Sequence, residues 1–301
     1  GSCFSENIGE KLIKLKFQVD LNPFGIIYNP ASIASCLQIL IDNKKFNEDD
    51  LFHYEGLWHS FMHHSSFSAI NKDETLANIN NRIAYSSEIL KKAKYIILTF
   101  GTSWVYYHKS KQIIVANCHK LPSQEFERKL LNTDEIVQLY INITEQIRTL
   151  NPSIIFIYTV SPVRHLKDTA HGNQISKAIL LLAIEELCKQ NLGYYFPAYE
   201  ILLDELRDYR FYDVDMIHPS SIAIDYIFDR FEESFFTEET INLNSQINDI
   251  LKVAQHNFFN PNLPSSIELK RKTIKKIEEL QKRYPYLNFK EEKLKLQCPN
   301  Q

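Results

Sequence analysis

The chain of 301 residues predicts an α/β fold built on a parallel sheet, and three observations carry that prediction. Apolar runs of strand length stand at residues 15–19, Tyr95–Phe100, residues 154–160 and Tyr194–Phe196. Longer stretches with helical periodicity lie between most of them, and a parallel connection needs such a crossover. Of only seven glycines, three (Gly1, Gly25 and Gly101) stand where a βα turn is expected.

Taken in order, a helix is expected over residues 6–14, then the first apolar run at 15–19 with Gly25 in the turn behind it. Asn29 followed by Pro30 reads as an N-cap and first helical position, because proline lacks the N–H that a first turn leaves unpaired. A helix over Pro30–Ile41 follows. Another is expected over 74–92, leading into the strand Tyr95–Phe100 and Gly101. Residues 104–107, a turn at 109–111 and residues 112–115 read as an inserted β-hairpin. A helix over 134–149 behind a Thr133 cap precedes the strand at 154–160, and a helix over 174–189 precedes Tyr194–Phe196. Helices at 219–231, 238–256 and 265–284 complete the pattern.

Residues 1–236 are expected to form the main domain, and 237–301 a helical extension packed on it. Asn260-Pro261-Asn262-Leu263-Pro264 interrupts the chain before a helix rich in Lys270, Arg271, Lys272, Lys275 and Lys276. That charge run reads first as the solvated face of an amphipathic helix and second as a basic partner surface.

Bulk composition excludes several functions. With 44% hydrophobic and 24% charged residues and a formal net charge of −3, the chain has neither the basic excess of a nucleic-acid binder nor an apolar run long enough to span a membrane. Its five cysteines are scattered, odd in number and without CxxC spacing, so neither a disulfide framework nor a zinc site is expected. A reducing, cytoplasmic setting fits this usage.

The sharpest local signal is Asp215-Met216-Ile217-His218-Pro219-Ser220. A carboxylate three residues before a histidine can accept from one imidazole nitrogen while the other faces a nucleophile, which makes the histidine a base. The same spacing also suits a turn in which Asp215 caps the backbone and His218 is merely exposed. What favours chemistry is the combination with glycine turns, which bring backbone amides close to an oxyanion at the carboxyl edge of a sheet.

Gly1-Ser2-Cys3-Phe4-Ser5 resembles the signature of the GSCFA-domain proteins, placed among the SGNH/GDSL hydrolases. The resemblance continues through Asn22-Pro23-Phe24-Gly25, Tyr28-Asn29-Pro30, Gly56-Leu57-Trp58-His59-Ser60 and Phe100-Gly101-Thr102-Ser103-Trp104-Val105-Tyr106. It resumes at Thr159-Val160-Ser161-Pro162-Val163-Arg164-His165, Asn173-Gln174-Ile175-Ser176-Lys177-Ala178, residues 204–212 and the Asp215–His218 segment. It implies a flavodoxin-like, SGNH-type sheet with helices on both faces, and a nucleophile in the turn after the first strand. Because that turn is residue one here, a strand upstream of Gly1 is expected.

Position by position, the superfamily's nucleophile falls on Cys3, with Ser2 as rival, His218 as base and Asp215 as its orienter. Gly25 and Gly101 are the glycines implied near the oxyanion. The usual asparagine of the third block is replaced by Ser103, so Ser103 or Asn29 is expected to donate instead. A thiol suits thioester or acyl-transfer chemistry.

His59 and His63, four apart, could share a helix face as metal ligands. No carboxylate or cysteine stands at a ligand-like interval, so neither metal nor other cofactor is expected. Residues 58–67 are instead expected to fold over the site, with His59, Arg164, His165 and Trp104 as substrate contacts. For Arg164 the alternative is a bridge that ties down its loop, and for Trp104 it is hairpin packing.

The expected function is a hydrolase or acyltransferase acting through a covalent acyl-enzyme on a small-molecule, carbohydrate or lipid ester or thioester. The alternative is a binding or scaffold module that keeps the fold without the chemistry. Oligomeric state is not set by the sequence.

Overall fold

A computed structural model of the chain describes residues 1–260 and 263–297. Pro261, Asn262 and Cys298 therefore lie outside the described residues. The residues group into two compact units, one of residues 1–9 and 20–228, the other of residues 10–19 and 229–301.

The first unit is mixed α/β. Its central sheet has three parallel strands in the order β3 (Tyr95–Phe100), β7 (Ile155–Val160), β8 (Tyr194–Phe196), with Tyr95 opposite Ile155 and Ile157 opposite Tyr194. The strands are apolar through most of their length because both faces are covered: Phe100, Phe156, Tyr158 and Val160 are fully buried. Around the sheet lie α2 (Pro30–Ile41), α3 (Lys72–Leu90), α4 (Thr133–Leu150) and α5 (Thr169–Lys189), with α4 packed against both α2 and α5.

Asn29 caps α2 as expected, its Oδ1 accepting from the Ser32 amide at 2.7 Å. At α4 the cap is Asn132 rather than Thr133. Asn132 Oδ1 accepts from the Glu135 amide at 2.9 Å, and Glu135 accepts in return from the Asn132 amide at 2.7 Å. This reciprocal box satisfies two orphan donors at once, which a threonine one residue later would not do.

The expected hairpin is present as β4 (Trp104–His108) and β5 (Ile113–Val115), and β6 (Phe126–Leu130) joins β4 on its other side to make a three-stranded antiparallel sheet. A second small pair, β1 (Phe52–Tyr54) and β2 (Leu57–His59), turns through Glu55 and Gly56, both at positive φ. His59 thus ends a strand and His63 lies in the turn beyond it, so the two share no helix face.

The apolar run at 15–19 is not a strand. The first helix, α1 (Cys3–Lys14), ends with Lys16 at φ 68°. The Lys16 amide donates to Ile13 O at 2.9 Å and the Phe17 amide to Leu12 O at 3.0 Å. That pair of bonds closes the helix in the manner a left-handed residue allows, and Phe17 then stacks on Phe236 at 5.2 Å. The alternation Leu15, Phe17, Val19 is a strand-like pattern used by a helix terminus.

After β8 the chain continues through α6 (Ala198–Glu200), a wider helical turn over residues 201–206, and an irregular loop into α7 (Ser221–Phe235). In the second unit, α8 (Glu238–Gln255), α9 (Pro264–Arg283) and α10 (Lys290–Gln297) pack together with Ile247, Ile250, Ile277 and Phe289 buried. Lys270 of the charge run is itself buried. Arg271 and Lys272 pair with Glu268, and Lys276 with Asp249, so this face is largely internally compensated. No helix of the described residues is long and apolar enough to cross a membrane.

Candidate active site

The strand ends bring the first residues of the chain to the carboxyl edge of the parallel sheet. Gly1 lies against Thr99 of β3, and its carbonyl accepts from the Ile27 amide at 3.0 Å. Ser2 is 1% exposed, and its hydroxyl donates to Ser161 Oγ, just past β7, at 3.0 Å. Cys3 opens α1 and is partly exposed. Of the two candidate nucleophiles, the hydroxyl is buried and paired while the thiol is reachable.

Asp215 and His218 form the expected pair. Their loop is a tight hairpin closed by a bridge between Tyr212 and Pro219, by the Asp213 amide donating to His218 O at 2.8 Å, and by Met216 at φ 60°. Inside it, Asp215 Oδ1 accepts the amides of Ile217 at 2.8 Å and His218 at 3.0 Å, while Oδ2 meets His218 Nδ1 at 2.6 Å. These bonds, led by the His218 amide, pull the Asp215 carboxyl down to about 2. Capping and orienting are thus done by one side chain. The His218 ring is 42% exposed, and its Nε2 has no hydrogen-bond partner among the described residues.

The loop after β7 supports this hairpin. The Arg164 amide donates to Ile217 O at 3.2 Å, its Nη1 donates to Met216 O at 3.2 Å, and its guanidinium lies 3.8 Å over the Tyr212 ring. Arg164 therefore ties two loops together through carbonyls and an aromatic face rather than through a carboxylate. His165 is turned inward, with its Nε2 buried without a partner beside Gly101. Its ring meets Tyr28 edge-on at 5.8 Å. Burial, then the neighbouring Lys177 charge, push His165 down to about 4, and His218 adds to the same effect. The far end of this loop is anchored by Arg128, which pairs with Asp168 and stacks over Trp104 at 4.5 Å. Trp104 is thereby hairpin packing.

Of the expected oxyanion donors, those of Gly25, Gly101 and Ser103 are already engaged. The Gly25 amide donates to Asn22 O at 2.7 Å in a turn at φ 77°, and the Gly101 amide to Tyr28 O at 2.7 Å. Ser103 is fully buried with its hydroxyl on Ser176, and Asn29 Nδ2 donates to Ser32 Oγ at 3.0 Å while its Oδ1 caps α2. Gly25, Gly101 and Ser103 thereby have their donors engaged, while Asn29 Nδ2 carries a second N–H with no partner among the described residues. Cys3 opens α1, so the amides of that first turn have no partner within the helix.

His59 lies apart from this group. Both its nitrogens are held, Nδ1 by Ser68 Oγ at 2.7 Å and Nε2 by Tyr54 O at 3.2 Å, and its ring packs with Phe52 and His119. His63 is buried against Phe24, Phe46 and Phe67. Within residues 58–67, His63 packs on Phe24 and the His64 amide donates to Phe24 O at 2.9 Å, so this stretch supports the turn at Phe24–Gly25. Among the described residues, no group of three His, Cys, Asp or Glu side chains could hold a metal ion.

Three residues at the site were not singled out from sequence. Tyr28 accepts the amides of Gly101 and Thr102 at its carbonyl and meets the His165 ring edge-on. Ser161 holds Ser2. Lys177 is fully buried, donating to Gly101 O and Ser161 O at 2.6 Å each. The available signal for Lys177 was periodicity: with Asn173, Leu180, Ile184 and Leu187 it falls on the apolar stripe of α5, where an unpaired lysine has no place without a structural task.

Comparison with curated proteins and with solved structures returns no match. The model of the GSCFA family matches residues 1–231, and that of the GSCFA domain protein C-terminal domain matches residues 247–299. The residues that build this site all fall within the first match, and the chain belongs to the GSCFA family.

Proposed function

We propose that the chain is an SGNH-type hydrolase or acyltransferase that works on an ester or thioester through a covalent intermediate on Cys3. The observation that carries this reading is the Asp215–His218 pair, joined at 2.6 Å with His218 Nε2 left open. Asp215 fixes the tautomer in which Nδ1 carries the proton, so Nε2 is the basic nitrogen. It takes the proton of the Cys3 thiol, and the sulfur attacks the acyl carbonyl. The carbonyl pair moves to oxygen, the leaving group departs, and water or an acceptor hydroxyl then collects the acyl group.

The choice of Cys3 over Ser2 rests on accessibility, since Ser2 is 1% exposed. The flavodoxin-like arrangement of the superfamily is supported by the parallel β3-β7-β8 sheet with the site at its carboxyl edge. Four unpaired cysteines among the described residues fit a cytoplasmic setting.

A second reading, a binding module without turnover, is favoured by one observation: Gly25, Gly101 and Ser103 all have their donors engaged. The test is acylation by p-nitrophenyl acetate, read as an acetyl adduct by intact mass. The wild type and Ser2→Ala are expected to form the adduct, and Cys3→Ala to form none. An adduct that persists in Cys3→Ala and disappears in Ser2→Ala moves the nucleophile to Ser2. No adduct in the wild type favours the binding module.

A further inference from the structure

We propose that Lys177 is a positioning residue of this site, a strap across the ends of β3 and β7 that keeps the Cys3 thiol and the His218 base in register. This inference rests on the proposed acyl chemistry.

Its first support is where the lysine grips. β3 and β7 pair as far as Phe100 and Val160, and the Ser161 amide then donates to Phe100 O at 2.8 Å. Just beyond that bond the two chains part. At this fork Lys177 Nζ donates to Gly101 O and to Ser161 O, both at 2.6 Å. The lysine is fully buried on α5, so packing fixes its reach. Its neighbour Ser176 grips the same stretch, its Oγ accepting the Ser103 amide at 2.8 Å.

The second support is what leaves the fork. On one side Ser161 Oγ accepts from the Ser2 hydroxyl at 3.0 Å, and Cys3 is the next residue. On the other side the chain runs on from Ser161 to Arg164. The Arg164 amide donates to Ile217 O and its Nη1 to Met216 O, both at 3.2 Å. Those carbonyls belong to the hairpin that carries His218. Nucleophile and base thus hang from the two sides of Ser161, and Lys177 holds the Ser161 carbonyl.

The third is the cost of placing an ammonium there. Burial strips its hydration, and among the described residues Lys177 has no carboxylate partner to offset the loss. A methionine would fill the same stripe without that penalty. What the lysine adds is the pair of carbonyl bonds, and so the geometry of the fork.

The test is the Cys3-dependent release of p-nitrophenolate from p-nitrophenyl acetate, each protein being read against its own Cys3→Ala variant. At about pH 7 the thiol needs His218 to take its proton, whereas at about pH 10 hydroxide removes it, since an ordinary cysteine ionises near 8.5. Lys177→Met should release on the order of 100-fold more slowly than wild type at neutral pH, the scale of a displaced catalytic group. At the alkaline value it should come within about threefold of wild type, as should His218→Ala, because the base is then dispensable. A loss of the same size at both values would make Lys177 general scaffolding and overturn the inference, as would no loss at either. Arg164→Gln cuts the base side of the fork at the surface, and it decides the matter if Lys177→Met shows no cooperative urea transition. It should lose about tenfold at neutral pH and recover in alkali. A neutral rate equal to wild type would overturn the inference. If the wild type shows no Cys3-dependent release, or His218→Ala equals it at neutral pH, the acyl reading itself fails.

Discussion

Asp215 holds His218 with one carboxylate oxygen and its own loop with the other. Oδ2 meets Nδ1 at 2.6 Å, and Oδ1 accepts the amides of Ile217 and His218 at 2.8 and 3.0 Å. The pair sits at the surface, with side chains 42% and 43% exposed, so its value lies in orientation more than in stability.

The two functions of Asp215 can be separated by substitution. In Asp215→Asn the amide oxygen can still accept from the loop, but the other position becomes an N–H₂ that disfavours a proton on His218 Nδ1. The wrong tautomer then presents an N–H to the thiol. Esterase turnover on p-nitrophenyl acetate should fall on the order of 100-fold or more, with the thermal midpoint nearly unchanged. In Asp215→Ala the loop bonds go too, and the midpoint should fall below that of Asp215→Asn. Equal turnover in Asp215→Asn and wild type would remove Asp215 from the mechanism.

The Asp215–His218 pair was legible in the sequence because its partners are three residues apart and the loop is local. The strands at Tyr95–Phe100 and Tyr194–Phe196 and the helix Pro30–Ile41 were legible for the same reason: run length, caps and breakers are local signals. The run at 15–19 misled because a left-handed helix terminus can carry a strand-like alternation. The oxyanion assignments misled because spacing finds a glycine or serine but says nothing of what already holds it. Ser103 is tied to Ser176, 73 residues away, and Lys177 to Gly101, 76 residues away. Such pairings follow from β3, β7 and α5 meeting in space, and no local pattern encodes them. Tyr28 was hidden differently, since an aromatic beside a helix cap reads as packing.

Acid should destabilise the fold through its buried histidines. Burial pushes His63 down to about 3 and His119 to about 4, each from an ordinary 6.5. Between those values and 6.5 the unfolded chain binds more protons than the folded one, so stability rises with pH across that window. The stabilisation is fully present above about 6.5 and is lost as pH falls toward 4 and 3. Urea denaturation from about pH 7 to about pH 4 should show a falling midpoint, and His119→Phe should reduce the slope. A midpoint flat over that range would show that these rings protonate without unfolding.

Lys177 sets two opposing effects against each other. Burial pushes its ammonium from 10.5 down to about 7, while Gly101 O and Ser161 O, both at 2.6 Å, and the Tyr199 ring at 5.4 Å favour the charge. In Lys177→Met the buried amine is gone, but two buried carbonyls lose their donor at about 1–3 kcal/mol each. Near neutral pH these terms offset one another, so wild type and variant should differ by about 2 kcal/mol or less. Above pH 7 the comparison changes. The unfolded lysine stays protonated up to about 10.5 while the folded one sheds its proton, so wild-type stability gains up to about 1.4 kcal/mol per pH unit relative to the variant. Paired urea titrations of the two proteins between about pH 7 and pH 10 should therefore diverge in favour of wild type. Parallel curves would mean that the two carbonyls hold Lys177 as an ammonium in both states. The strap across the ends of β3 and β7 would then act as a permanent buried charge beside Ser161 and Gly101.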